Sequence, residues 1–286
     1  MTQDMNTISA SENPELAKQL ISAALSMPLE EGETKPEVLE EVEESSAPKV
    51  ALPPSGDVEL LAGLYDPFTG ETTLRAEIRE LNGDDEEALS KIKDYGRSLL
   101  AILQRGTVKI GDTPCTPDVL DSLLSGDREY LIMKIRSVTF GSTLDLKGAC
   151  PHCEAEQNFV VDLDEDVKLD RLKDSQVRSF KVDCKIGEVA FDLPDGSVQK
   201  KLITSVDKTP AELDSILLKE CITSINGSPI LDPNQVRKLG MQDRRTILKA
   251  IIDNNPGPDL SAISKNCLDC GQEVPIPLTL ADLFRL

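Results

Sequence analysis

The chain has 286 residues, with 51 acidic side chains against 31 basic ones, a formal net charge of −20, six Phe, three Tyr and no Trp. That excess of carboxylates, with no Lys/Arg-dense block, argues against nucleic acid as a partner, because a phosphate-binding surface needs a basic patch. Seven cysteines, an odd number, fit a reducing compartment better than a disulfide framework.

Met1-Thr2-Gln3-Asp4 has neither the basic nor the apolar region of a secretory signal. No apolar run approaches the ~20 residues that a membrane helix needs. A soluble protein, cytoplasmic where it is made, is therefore expected.

Residues 1–57 carry twelve acids against three Lys. Within them, residues 28–49 are rich in Glu, Pro and Ser and cannot bury enough apolar surface to offset the entropy of ordering. An acidic tail over 1–49 is expected. It contains one helical island near 14–26, where Asn13 can cap, Pro14 fits the first turn, and Leu16, Leu20, Ala23 and Ala24 share a face; it reads either as a frayed surface helix or as an amphipathic helix that docks on a partner. From residue 50 the pattern becomes that of a folded chain. Thr72 to Arg79 alternates as a half-buried strand, and Asn82-Gly83 turns the chain. Asp84 with Glu87 predicts a capping box for a helix through Ile92, Tyr95, Leu99 and Ile102, ended by a left-handed Gly106. Val108–Gly111 is extended, Thr116-Pro117 opens a short helix, and a third helix carries Tyr130, Leu131, Lys134, Ile135 and Val138 against the first.

The period then changes to two on both sides of Cys150-Pro151-His152-Cys153, with Thr143–Lys147 leading in and Gln157–Leu163 leading out. Ala262–Lys265 and Glu273–Ile276 flank Cys267-Leu268-Asp269-Cys270-Gly271 in the same way, and Pro275 assigns the last strand to a sheet edge. Between the two pairs, Phe180–Cys184, Glu188–Leu193 and Ser197–Ile203 read as a three-stranded meander. A helix follows from the capping box Thr209-Pro210-Ala211-Glu212, and another begins at Asp232-Pro233. Residues Arg244–Ile252 stay helical, with Ile247, Leu248, Ile251 and Ile252 inward, until Asn254–Pro258 stops them. The expected fold class is α+β: the disordered acidic tail, a strand plus helical unit over 50–141, a split zinc ribbon over 142–163 and 260–286, and an inserted β-meander and helical segment over 164–259.

Each C-x₂-C pair places two thiols on a tight knuckle, and two pairs make the tetrahedral four-thiolate set of a structural zinc site. Cys150, Cys153, Cys267 and Cys270 are therefore the expected metal ligands, with Zn²⁺ the expected cofactor. The rival for Cys150 and Cys153 is a thioredoxin-like dithiol. It needs the first Cys at a helix N-terminus, whereas here a strand follows. Four thiolates leave no open position for a catalytic water, and His152 is the one histidine, so no catalytic residue and no enzyme activity are expected. The acidic runs Asp84–Glu87 and Asp162–Asp166 read as solvated surface, and Cys115, Cys184 and Cys221 as small buried apolar residues. A zinc-ribbon protein that binds nucleic acid or assists transcription is the alternative.

Several stretches resemble the T-even-type bacteriophage baseplate hub protein family, which includes baseplate hub assembly and tail assembly chaperones. They run from Leu52-Pro53-Pro54-Ser55-Gly56 through Thr73–Arg79, Asp84–Glu87 and Glu129–Arg136 to the first Cys pair. Asp243-Arg244-Arg245, Pro256-Gly257-Pro258, the second pair and Leu283-Phe284 complete the resemblance over roughly 50–286. It implies a non-enzymatic role in assembling the hub of a contractile tail's baseplate. The implied partners are other phage baseplate hub or tail proteins, met in the host cytoplasm, with the tail baseplate of the virion as a second location; neither nucleic acid nor membrane is among them.

Overall fold

The computed structural model describes residues 55–284 apart from 206 and 231; the expected acidic tail and its helix near 14–26 lie outside the described residues. A strand that the periodicity did not reveal, β1 (Ser55–Tyr65), pairs antiparallel with β2 (Thr72–Arg79), and the register slips between Glu59 and Leu64. The single helix expected from Asp84 is two helices, α1 (Gly83–Leu89) and α2 (Tyr95–Gly106), because each start has its own cap. The box is Asn82 with Asp85: Asn82 Oδ1 accepts from Asp85 N–H (3.2 Å) while the Asp85 carboxylate accepts from Asn82 N–H (3.0 Å). Asp94 Oδ1 accepts from Arg97 N–H (2.8 Å) and starts α2.

Two short strands, β3 (Thr107–Ile110) and β4 (Thr113–Pro114), complete a sheet of order β1-β2-β3-β4. Helix α3 (Pro117–Asp121) then leads into α4 (Ser125–Phe140), which packs on this sheet and on α2. Leu131 and Ile135 of α4 share a core with Leu99 and Ile102 as predicted, joined by Ile132 and Leu103, whereas Tyr130 and Met133 face a second core, Lys134 pairs with Asp164 and Val138 is exposed. Gly106 is the last residue of α2 rather than a left-handed cap. A Cβ there would come within 2.6 Å of Ile135, so the glycine allows α2 and α4 to approach.

After β5 (Thr143–Ala149), β6 (Glu156–Asp162) and β7 (Lys168–Asp170) comes the hairpin β8 (Ser179–Cys184) and β9 (Gly187–Asp192). The expected meander is corrected at its third strand: Gly196–Ile203 is a helix, α5, because the Asp195 carboxylate caps it by accepting from Val198 N–H (3.0 Å). The third strand of that sheet comes instead from β10 (Ile222–Ile225), after α6 (Pro210–Cys221), and β11 (Ser228–Pro229) closes the order β11-β10-β9-β8. A 3-10 turn over Pro233–Lys238 precedes α7 (Met241–Asn254), whose Ile247 and Ile251 are buried while Ile252 is 68% exposed, contrary to the expected inward face. The segment β12 (Gly257–Asp259) then pairs antiparallel with β7, so a backbone ladder brings the chain back before β13 (Ser264–Asn266) and β14 (Glu273–Pro275).

The first turn of α4 locks these parts together. Asp127, fully buried, accepts backbone N–H bonds from Leu61 (2.6 Å), Ala62 (3.1 Å) and Gly63 (2.7 Å), the donors that the β1 irregularity leaves without a ladder partner. Burial raises its pKa, and those three donors oppose the rise. Gly63 has φ +80°, and a Cβ on it would lie 2.7 Å from Thr73 O, so the irregularity needs glycine. Arg128, equally buried, donates to Leu120 O (2.7 Å), Asp121 Oδ1 (3.2 Å) and Gln199 Oε1 (2.7 Å), tying α3 and α5 to α4.

Candidate metal centre

Both Cys pairs sit at the tips of antiparallel hairpins, the first joining β5 to β6 and the second joining β13 to β14. The hairpin bases converge on α4 because Leu144, Val161, Leu163, Ile263 and Leu278 share one core with Tyr130 and Met133. Arg136 near the end of α4 fixes the directions. Its guanidinium donates to Leu283 O (2.8 Å), to Thr143 O at the start of β5 (3.2 Å), and to Gly141 O.

The two knuckles are built alike. Cys150 N–H donates to Ala155 O (3.0 Å) and Glu154 N–H to Cys150 O (2.9 Å); Cys267 N–H donates to Gln272 O (2.8 Å) and Gly271 N–H to Cys267 O (2.9 Å). The residue after each second Cys is left-handed: Gly271 at φ +70° and Glu154 at φ +61°. A non-glycine residue is strained there, so the first knuckle holds a backbone that it would not choose in isolation.

The tips meet. The Sγ atoms of Cys150, Cys153, Cys267 and Cys270 all lie within 4.8 Å of one another. Cys150 Sγ is 3.7 Å from Cys270 Sγ and Cys153 Sγ is 3.6 Å from Cys267 Sγ. These distances are far longer than the ~2.05 Å of a disulfide. They match the ~3.8 Å that two sulfurs span when each bonds one tetrahedral metal at about 2.3 Å. Cys150 and Cys267 are 1% and 2% exposed, whereas Cys153 is on the solvent side. Electrostatics favour a cation at this point. Backbone N–H donation from Cys270, with the Gln157 amide, draws the Cys267 thiol down to about 6. The Ala155 N–H favours a Cys153 thiolate, but burial and the surrounding sulfurs outweigh it and push that thiol up to about 12. Cys270 moves up in the same way, since Gln272 N–H donation is outweighed by burial and by Cys267 and Cys150. So many sulfurs at this spacing cannot all carry charge together unless a cation sits among them. The cluster can hold a metal ion, and its donor set and dimensions are compatible with zinc.

One contributor was not visible from spacing. Gln157 on β6 donates Nε2–H to Cys267 Sγ (3.0 Å) and accepts from Leu268 N–H through Oε1 (3.0 Å), so the first hairpin orients the second knuckle. A glutamine seven residues after the first Cys carries no signal until the hairpins face each other. His152, exposed, reaches across through Nε2 to Glu273 O (3.2 Å) and is a bridge rather than a ligand. Cys115 and Cys184 are half-buried and Cys221 buried, all remote from the cluster, and burial raises each thiol's pKa.

Residues 77–238, more than half of the chain, match the family described as T4 bacteriophage base plate protein. The chain belongs to that family. No curated protein and no solved structure matches it significantly. The matched part of this base plate protein includes Cys150 and Cys153 but ends before Cys267 and Cys270, so the family match does not cover the whole four-sulfur cluster that the fold assembles. Among the described residues, no helix of the base plate protein is long and apolar enough to cross a membrane.

Proposed function

We propose that this base plate protein has no enzymatic activity and acts in assembling the central hub of the phage tail base plate through protein–protein contacts. On this reading it works in the host cytoplasm and stays with the tail. The family match over residues 77–238 carries the proposal. The two hairpins form a zinc ribbon, with Cys150, Cys153, Cys267 and Cys270 as the ligands of one structural Zn²⁺. Bound there, the ion neutralises the thiolates and closes a loop of more than a hundred residues. The chain's own residues do the rest: Gln157 and the knuckle N–H groups orient the sulfurs, and Arg136 sets the hairpins on α4.

Metal analysis with thiol titration tests the site. One zinc per chain, with four of the seven thiols unreactive until chelation, is expected; metal-free protein with four freely reactive thiols overturns it. The role is tested by tracing the chain through sedimentation of base plates and their precursors. Its absence from all of them would rule out the assembly reading.

A further inference from the structure

Charge is unevenly placed. Residues 196–250 carry nine Lys/Arg against six Asp/Glu in a chain whose net charge is −20. They include α5, α6, the 3-10 turn over Pro233–Lys238 and most of α7, with α6 packing on each of the other three. Between α6 and the 3-10 turn lies a cleft of about 240 Å³, whose lining includes Lys208, Glu212, Ser215, Ile216, Lys219 and Arg237. Glu212, Ser215, Ile216 and Lys219 fall on one face of α6 by helical spacing.

Some nearby cations are already paired: Lys200 and Lys201 on α5 and Lys249 on α7 hold Asp121, Glu220 and Asp253 at 3.1, 2.7 and 2.6 Å. Among the described residues, Lys208, Lys219 and Arg237 are exposed and none of them is in an ion pair. Glu212, the one carboxylate of the lining, is held by Thr209, accepting from its N–H (2.9 Å) and Oγ1–H (2.8 Å). Arg244 adds a further cation beside the wall, donating to Ser215 Oγ (2.9 Å). Lys208 and Arg237 act on the Glu212 carboxylate through space, yet three cations against one carboxylate leave the lining with a net positive charge and a local field that attracts anions.

We propose that this cleft docks an acidic segment of another protein, whose carboxylates meet Lys208, Lys219 and Arg237 while an apolar side chain covers Ile216. No aromatic side chain lines the cleft, so it offers no platform on which a nucleic-acid base could stack. The choice of a protein as the source of the carboxylates also rests on the base plate reading.

Fluorescence anisotropy on the full chain tests this with two probes, a labelled oligoglutamate peptide and a labelled oligothymidylate of equal length. Oligoglutamate is expected to bind at low salt and to weaken by about tenfold as ionic strength rises from about 0.05 to about 0.3 M. Reversing the cleft together, Lys208→Glu, Lys219→Glu and Arg237→Glu, is expected to reduce its affinity by at least about tenfold. A control reverses Arg75→Glu, Lys168→Glu and Lys181→Glu, cations already paired with Asp57, Asp170 and Glu188 at 2.7, 2.7 and 2.9 Å. It changes net charge equally and should leave affinity within about threefold. Both variants are checked for an unchanged melting transition, and a cleft variant that fails to fold is replaced by the Gln substitutions at the same positions. Equal loss in the two variants, no binding by the natural chain, or preference for oligothymidylate each overturns the proposal. If neither probe binds, the cleft reading falls and the base plate reading stands; preferred oligothymidylate binding counts against both.

Discussion

Around α4 and at the hairpin tips, segments far apart in sequence are held together on very different amounts of core. The α4 region has a broad apolar interior, with Leu60, Ile78, Leu103, Leu131 and Ile135 all buried, and its buried charges satisfy backbone groups and fix register. The hairpin tips bury only Cys150, Phe159, Cys267 and Val274, with Leu146 and Ile276 partly covered. So small a cluster cannot hold two hairpins against their conformational entropy, which is where small folds use a metal or a cross-link. Where apolar area is plentiful, buried polar groups choose among packings; where it is scarce, a metal bound by the proposed four-cysteine site would supply stability that the core does not.

The largest expected effect breaks the hairpin side. On the zinc reading proposed above, Cys150→Ser with Cys267→Ser removes two of four ligands from a site that would contribute on the order of 10 kcal/mol to folding. Hydrogen exchange should then show loss of protection in β5, β6, β13 and β14, while amides of Leu103, Leu131 and Ile135 stay protected. Loss of protection throughout would mean that the two regions fold as one.

On the other side, Asp127→Ala leaves three buried N–H groups without an acceptor and should cost about 3–5 kcal/mol, read from urea melts. The nearby Gly126→Ala would drive a Cβ into Pro256 O, so the α4 and β12 backbones must separate; a cost of about 2–3 kcal/mol is expected from the fall in melting temperature.

Smallest is Asp85→Asn, at about 2 kcal/mol, because both partners of this carboxylate keep some water. Burial opposes ionisation of Asp85, but bonds from Arg79, Asn82 N–H and Arg105 prevail and hold its pKa at about 2, below the ordinary 3.8. A depressed acid pKa gives stability that is present above the unfolded value and lost as pH falls through the folded one. The stability difference between the natural chain and the Asp85→Asn variant should therefore be full at about pH 5 and shrink between about pH 4 and pH 2, measured by urea melts at each pH.

Much of this could be read from local pattern. The strands on either side of each knuckle, the helix from the Thr209 capping box and the strand over Thr72–Arg79 depend on short-range periodicity and caps, and the structure places them within a few residues of expectation. The misreadings have a common cause. Ser197–Ile203 alternates well enough for a strand, but Asp195 caps it as a helix whose Val198 and Leu202 pack on the core around Phe191. Periodicity also ran Asp84 to Gly106 together, because the Asp94 cap in the middle of the pattern is a single residue. Strand β1 was missed because its irregular half is completed by a carboxylate 65 positions away from Ala62.

By itself, the sequence determined the two knuckles and the four thiols they present, because a C-x₂-C turn is a local structure that needs only the right residues at the right spacing. Tertiary structure decided that the thiols belong to one cluster. That step depends on α4 gathering the hairpin bases through Tyr130, Met133 and Arg136, and on Gln157 reaching across to Cys267. Contacts between side chains more than a hundred positions apart leave no periodicity in the chain, so only the folded protein reveals them.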